Sequence, residues 1–459
     1  MLSHLVTDAP GAVPVTPITS ADLAGRASML DESARTWLRS TGFTAEPGKL
    51  ALLPDGGGRL ARVLIGVAGG DELWALAGLP DNLPEASYRL EPEPEAAAAT
   101  RLALGWALGC YAFTRYKPRK RGFADLLWPR AADRALVARL AQGIALARDL
   151  INTPAEHMGP AELAGAVEEL AGRQAAQCRI IAGDALLAEN YPMVHAVGRA
   201  SARPPVLADL TWGDAAAPKL TLVGKGVCFD SGGLDLKPSA GMRLMKKDMG
   251  GAATLIGLAG AIMDANLPVR LRLLVPAVEN AVSANAFRPL DVIRTRKGIT
   301  VEIGNTDAEG RLILGDALTE ADAEQPALLV DMATLTGAAR TALGPELPAL
   351  FVNDEALAAE LLRAAEAEQD PLWRLPLWQP YRKLLKSGIA DLNNVSESAF
   401  AGAITAALYL QEFVSKTTPW AHIDTYAWNA TARPGRPEGG EALGLRALYH
   451  LVERRFAGR

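Results

Sequence analysis

LTLVGKGVCFDSGGLDLKPSAGMRLMKKDMGGAATLIGLAGAIM, residues 220–263, changes structural character twice within one stretch. LTLVG at 220–224 reads as a short buried strand, and residues 250–265 read as a helix. Between them lies a long loop rich in glycine and charge, residues 223–251. Strand, loop and helix in that order make the repeating unit of an α/β domain. The alternation continues downstream. VRLRLLVPAVEN (269–280) opens as a strand, ALLVDMATL (327–335) is another, and WAHIDTYAW (420–428) is a last strand candidate. RLILGDALTEADAE (311–324) and GAITAALYLQEFV (402–414) read as helices in the gaps. The expectation is an α/β domain with a mixed, mostly parallel central sheet flanked by helices. Ligands bind such sheets beyond the carboxyl ends of the strands, and the polar clusters of this chain fall there.

Upstream, RAADRALVARLAQGIALARDLINTPA (130–155) carries apolar residues at helical spacing. It ends at Asn152-Thr153-Pro154, because proline forces the residue before it out of the helical region. Residues 160–172 read as a further helix. The domain boundary is placed near this helix, giving an N-terminal α/β domain over 1–140 and a larger domain over 148–459. Within the first, LEPEPEAAAATRLALGWALGCYAF (90–113) is a Pro/Glu loop leading into an apolar helix. RYKPRKR (115–121) follows, with a proline that breaks any helix. Its basic residues could touch nucleic acid. A solvated loop is the simpler reading, because the tract is short and the rest of the chain is acidic.

A chain of 459 residues is too long for one typical core, so two domains are expected. Apolar residues at 49% and charged residues at 22% allow a sizeable core and argue against disorder. A net charge of −5 gives no basic field for nucleic acid or acidic lipid. The opening MLSHLVTDAPGAVPV has no basic segment followed by an apolar core, so no secretory signal is expected. The longest apolar, glycine-rich run, residues 250–263, is too short to span a bilayer. Cys110, Cys178 and Cys228 are far apart and form neither a disulfide framework nor a CxxC site. A reducing, cytoplasmic setting is the expectation.

The glycine-rich loop admits several chemistries. A phosphate loop is excluded, because Gly226 follows Lys225 where that pattern needs Ser or Thr. FDSGG resembles the surroundings of a serine nucleophile at Ser231, but such a serine needs a histidine base with its own acid. The histidines, His4, His157, His195, His422 and His450, stand in no recognisable partner motif. Cys228 fails as a nucleophile for the same reason. A carboxylate metal site is the third reading. Asp230 and Asp248 could converge with Asp307 and Glu309, and four acids share a pocket only when cations neutralise them. A pair of divalent ions would do so and could activate a water. Each acid taken alone reads more simply as a solvated surface residue.

NTDAEGR (305–311) has a logic of its own. In an extended backbone Asp307, Glu309 and Arg311 would line one face. The alternative is a helix start that favours acids, under which Arg311 is at the wrong end.

Read together, these motifs resemble the leucyl (cytosol) aminopeptidase family. NTDAEGRL is similar to that family's signature, and VGKGVCFDSGG, LKPSAGM, MKKDMGGAA and ATLTGA match in order and spacing. LINTPA resembles the start of its catalytic domain, and the resemblance covers residues 148–459 best. It implies a two-metal hydrolase that releases N-terminal residues from peptides with a free N-terminus. The implied ligands are Lys225, Asp230, Asp248, Asp307 and Glu309, with Zn, Mn or Mg as the ions. As a ligand Lys225 must be neutral. Lys237 would stay charged and stabilise the oxyanion, and Arg311 would hold a bicarbonate or a water network that accepts a proton. Thr334, Leu335 and Gly337 resemble the substrate-binding strand edge, and Met245 a side of the pocket for the N-terminal side chain. The chain departs from the family at TYAWN (425–429), where smaller or more apolar residues are expected. Tyr426 and Asn429 would narrow that pocket or make it more polar, unless they pack elsewhere. A homo-hexamer is also implied. The competing class is a hexameric DNA-binding or regulatory protein of the same family, for which residues 115–121 are the only local support.

Overall fold

The computed structural model describes residues 1–70 and 73–458. They form two compact units, one of residues 1–145 with 430–438, the other of residues 146–429 with the chain from Gly439 onward.

The first unit carries a six-stranded sheet: β1 (Leu5–Val6), β2 (Val13–Ile18), β3 (Leu50–Pro54), β4 (Leu60–Gly66), β5 (Ser87–Leu90) and β6 (Asp125–Leu127). Its order is β1-β6-β5-β2-β4-β3, and only the β3–β4 pairing is antiparallel. The apolar stretch read as a helix after the Pro/Glu loop is the helix Ala96–Gly109, buried along most of its length. The basic tract at 115–121 is a loop whose arginines are engaged within this unit. Arg119 pairs with Asp81 at 2.6 Å and covers the Phe123 ring, and Arg121 donates to the Asp81 carbonyl at 2.8 Å. Both therefore serve the fold of their own loop.

The second unit is built on a nine-stranded sheet. Its strands are β7 (Gln177–Ala182), β8 (Val206–Trp212), β9 (Lys219–Gly224), β10 (Gly226–Asp230), β11 (Arg270–Asn280), β14 (Leu328–Ala333), β15 (Ala349–Val352), β16 (Trp373–Arg374) and β18 (Trp420–Asp424). β12 (Val292–Arg294), β13 (Thr300–Glu302) and β17 (Leu392–Asn393) make a separate small sheet. The large sheet runs β16-β15-β18-β14-β9-β11-β8-β7, with β10 also on β11. β18, β14, β9 and β11 are parallel neighbours, and antiparallel pairings occur at β15–β18, β11–β8 and β8–β7. This is the mixed, mostly parallel sheet expected.

The helix Gly250–Asp264 is apolar on all sides and correspondingly buried. Its close seating needs glycine, since a Cβ on Gly251 would lie 2.0 Å from the Met332 carbonyl oxygen. β9 and β10 are one strand interrupted at a single residue. β9 pairs with the first half of β11, β10 with its second half, and Lys225 stands at the break with its N–H on the Met332 carbonyl. The strand expected over 420–428 stops at Asp424. Ala427 takes a left-handed φ of 55°, which ladder pairing does not accept. Among the described residues no helix is long and apolar enough to cross a membrane.

Candidate metal centre and active-site cavity

The parallel strands deliver their carboxyl ends to one place. Lys225 follows β9, Asp230 and Asn280 close β10 and β11, Thr334 follows β14, and Asp424 closes β18. A cavity of about 700 Å³ opens there, a volume usual for a small-molecule site. Lys225, Asp230, Lys237, Met245, Asp248, Asp307, Arg311, Thr334, Leu335, Gly337 and Tyr426 all line it.

NTDAEGR enters this cavity as a turn at Thr306-Asp307 that runs directly into the helix Gly310–Ala323. It is not extended, so the one-face argument does not apply. The convergence comes from the turn and from the strand ends around it. Single ligand atoms of Asp230, Asp307 and Glu309 lie within 4.8 Å of one another. Lys225 sends its ammonium to Asp248 at 2.8 Å, to Glu309 at 3.0 Å and to the Thr334 carbonyl at 2.9 Å. Lys237 pairs with Asp230 at 2.7 Å and also with Asp307. Asp248 accepts from the Thr334 hydroxyl at 2.8 Å.

Four carboxylates here face two lysines, which leaves an excess of two negative charges at full ionisation. Burial, and then repulsion from Asp230, pushes Asp307 up to about 6 and Glu309 up to about 8. Burial likewise raises Asp248. For Lys225 and Lys237 burial acts downward, but the surrounding carboxylates outweigh it and hold both ammonium groups above their usual range. Acids and lysines are thus raised together, because two ammonium groups are too little charge for four carboxylates, of which Asp230, Asp248 and Glu309 are buried. Oε2 of Glu309 is buried without a polar partner, while Oε1 of Glu309, Oδ2 of Asp248 and Oδ1 of Asp307 are met by the lysine ammonium groups. A buried polar oxygen is rarely left unpartnered. An oxygen-rich cluster with surplus negative charge and open lone pairs fits divalent cations.

Several groups that hold this arrangement escaped the sequence reading. Asn280 donates to Asp230 at 2.9 Å and to the Thr306 carbonyl at 3.1 Å, so it ties β10 to the turn. Its place at the carboxyl end of a predicted strand was the available signal. Thr306 donates to the Gly232 carbonyl at 2.6 Å and accepts from the Asp235 N–H, joining the turn to the glycine loop. Asn394 accepts from the Gly304 N–H at 2.8 Å, and its carbonyl receives Arg311 Nη1 at 2.6 Å. Asp424 accepts from the Leu335 and Thr336 N–H groups and from the Thr336 hydroxyl, which fixes the Thr334–Gly337 edge. Arg311 is 8% exposed, and its Nε is buried without a partner.

The two specificity candidates separate. Tyr426 lines the cavity, with the Lys247 ammonium 4.4 Å from its ring centre. Burial lowers Lys247 to about 8. Asn429 is not among the lining residues. It is buried elsewhere and donates to Glu441 at 2.8 Å, a carboxylate that also binds Arg148. The left-handed Ala427 between them turns the two side chains apart.

The family profile described as "Cytosol aminopeptidase family, catalytic domain" matches residues 145–449, and "M17 aminopeptidase, N-terminal domain" matches residues 13–129. A probable cytosol aminopeptidase of Syntrophotalea carbinolica is 44% identical over 78% of this chain and 76% of its own length. A peptidase B of Serratia proteamaculans is 45% identical over 76% and 84% respectively. The crystal structure of a cytosol aminopeptidase from Coxiella burnetii superposes with a TM-score of 0.96 at 50% identity, covering 99% of this chain and all of that one. The bottromycin maturation enzyme BotP in complex with Mn superposes at 0.87 with 34% identity, over 97% of this chain and 99% of its own.

Proposed function

This chain belongs to the cytosol aminopeptidase family and is a metal-dependent aminopeptidase, and we propose that Lys225, Asp230, Asp248, Asp307 and Glu309 hold two divalent ions in its cavity. The observation that carries this assignment is the cluster of four carboxylates, Asp230, Asp248, Asp307 and Glu309, neutralised only by two lysines at the carboxyl edge of the sheet, with Glu309 Oε2 buried and without a polar partner. When bound, the ions supply Lewis acidity toward the scissile carbonyl and hydroxide at neutral pH. The oxygen donors suit Zn, Mn and Mg alike.

The chain's own residues do the rest. Lys225 would hold an ion through its neutral amine, which the Thr334 carbonyl and Asp248 position, and the Thr334 hydroxyl orients Asp248 in turn. Lys237 would remain an ammonium and, with Asp230 and Asp307 holding the ions, would be free to stabilise an oxyanion at the scissile carbonyl. Arg311, with an unpaired Nε beside the cavity, holds a bicarbonate or ordered waters that take the proton of the attacking water and return it to the leaving amine. The rigid Thr334–Gly337 edge aligns the peptide, and Met245 and Tyr426 bound the space for its N-terminal side chain. A homo-hexamer in the cytoplasm completes this reading, and light scattering of the purified chain tests the assembly.

Metal removal is the direct experiment. Dialysis against a chelator is expected to abolish hydrolysis of aminoacyl reporters, and Zn, Mn or Mg is expected to restore it and raise the melting temperature. An ion at a hundred times its Kd adds about 2.7 kcal/mol of stability. Undiminished turnover in chelator would refute the metal assignment.

Gly310 provides a finer test of Lys225. A Cβ at this position would lie 2.5 Å from Lys225 Cε and 2.7 Å from its Nζ. Gly310→Ala should therefore displace the amine without touching a carboxylate. A shift of about 1 Å at a reacting group costs on the order of a hundredfold in rate. That loss is expected in kcat/KM, with metal affinity reduced alongside. Wild-type kinetics in this variant would remove Lys225 from the site.

A further inference from the structure

The first unit has a cavity of its own, of about 290 Å³. Its position follows from two strands and one short helix. Alternation places Thr16 with Ile18 on one face of β2, and Arg62 with Leu64 on one face of β4. Thr16 is the register partner of Leu64, so all four share a face of the sheet. Residues 23–30 lie over that face, with Leu23, Ala27 and Leu30 packed against the core around Ile18 and Leu64. The cavity opens where this apolar packing gives way to charge. Leu30 and Leu64 form its apolar side, and Thr16, Arg26, Arg62 and Glu91 its polar side.

The polar side carries more positive charge than the fold uses. Arg62 donates to the Thr16 hydroxyl oxygen at 3.1 Å and to Glu91 at 2.8 Å, and Arg89 takes the other Glu91 oxygen at 2.7 Å. Glu91 is the one carboxylate among the described lining residues, and both its oxygens are thereby engaged. The Arg26 guanidinium has no ion pair and no hydrogen bond among the described residues. Three guanidinium groups thus stand around one carboxylate, an excess of two positive charges. An exposed arginine alone is ordinary. Thr16 is not: it is 5% exposed, it accepts from Arg62, and its own hydroxyl proton meets no acceptor among the described residues. A buried donor seldom goes unused. Free donors beside surplus positive charge are complementary to an anion, and the leucine side favours an anion with an apolar body.

We infer that this cavity binds a carboxylate carried on a short aliphatic body, of the size of a single amino acid. The carboxylate takes the Arg26 guanidinium and the Thr16 hydroxyl, and the aliphatic part rests on Leu30 and Leu64. The volume lies at the small end of the range for small-molecule sites, which suits a ligand of that size. With both Glu91 oxygens engaged, no described lining residue offers an ammonium a free carboxylate. The amine of an amino acid is therefore not part of what is recognised.

The test is calorimetric titration of the full, metal-loaded chain with isocaproate, its neutral isostere isocaproamide, and inorganic phosphate. The acid should bind, and the amide should bind weaker by about tenfold or more, the scale of a charge-assisted hydrogen bond. Arg26→Gln and Thr16→Val should each weaken the acid by about tenfold. Turnover of a leucyl reporter should stay at the wild-type level in both, since neither residue belongs to the metal cavity. Arg26 is exposed, so its variant should fold even if the one at Thr16 does not. Absence of isocaproate binding overturns the inference. Isocaproate binding that survives both substitutions belongs to the metal cavity and overturns it equally. Phosphate binding as tight as that of the acid would leave the leucines without a role, and the aliphatic carboxylate would fall as the ligand. None of these outcomes bears on the metal assignment, which the chelation experiment decides by itself.

Discussion

Glu309→Gln should lower kcat/KM for any aminoacyl reporter by about a thousandfold or more, the scale of losing a preorganised charge-stabilising group. The argument starts from what Glu309 lacks. It is 1% exposed, its Oε2 is without a polar partner, and its one charged neighbour within ion-pair distance is Lys225. A carboxylate so placed is a liability to the fold unless something binds it. Glutamine keeps the volume and removes the charge, and its NH2 cannot coordinate a cation. Lys225 retains Asp248 and the Thr334 carbonyl. The metal-free variant should therefore melt at or slightly above the wild-type temperature. The same sample should show a much smaller rise in melting temperature on adding Mn or Zn. Loss of activity together with the expected melt separates a ligand from a structural residue. A variant that keeps more than about a tenth of wild-type kcat/KM would show that Glu309 holds no ion.

What could be read from residues alone follows the physics of each element. The buried strands at 220–224 and 328–333 and the apolar helix at 250–264 are legible because burial on all sides leaves mostly apolar runs, interrupted only by Thr221, Asp331, Thr254 and the terminal Asp264. β10 was not legible. GVCFD is a short strand on the far side of one lysine, and nothing in its pattern shows that it continues β9 along β11. The six-stranded sheet of the first unit was foreseen only as a class, because its strands are short and broken by proline at positions 14, 17 and 54. At the site, Asp307, Glu309 and Arg311 were found for an insufficient local reason. They were aligned on an extended backbone, whereas the turn at Thr306-Asp307 and the helix beginning at Gly310 set their directions. Asn280, Thr306 and Asn394, which hold that turn, are polar residues whose partners lie 26 to 90 residues away, beyond any local pattern. Asn429 shows the converse. It is adjacent in sequence to the cavity loop, but the backbone at Ala427 sends it to Glu441.

Lys237→Gln should lower kcat by about a hundred- to a thousandfold, with little change in KM and no change in bound metal. That combination is the reverse of a ligand's signature, and it follows from where the ammonium stands. Lys237 is the more exposed of the cluster's two lysines, with 15% of its side chain accessible against 4% for Lys225, so it meets the cavity itself. Without ions it neutralises Asp230 and Asp307, and Asp307 is already pushed up to about 6 despite that help. Removing the ammonium leaves those two carboxylates facing each other, so the metal-free variant should melt below the wild type. Bound ions take over the neutralisation and should erase the difference. The stabilisation produced by Mn or Zn should therefore be larger in Lys237→Gln than in the wild type, while in Glu309→Gln it is smaller. The opposed shifts distinguish a residue that competes with the ions for the same carboxylates from one that binds them. Near-normal kcat with full metal occupancy would move oxyanion stabilisation from Lys237 to the ions alone.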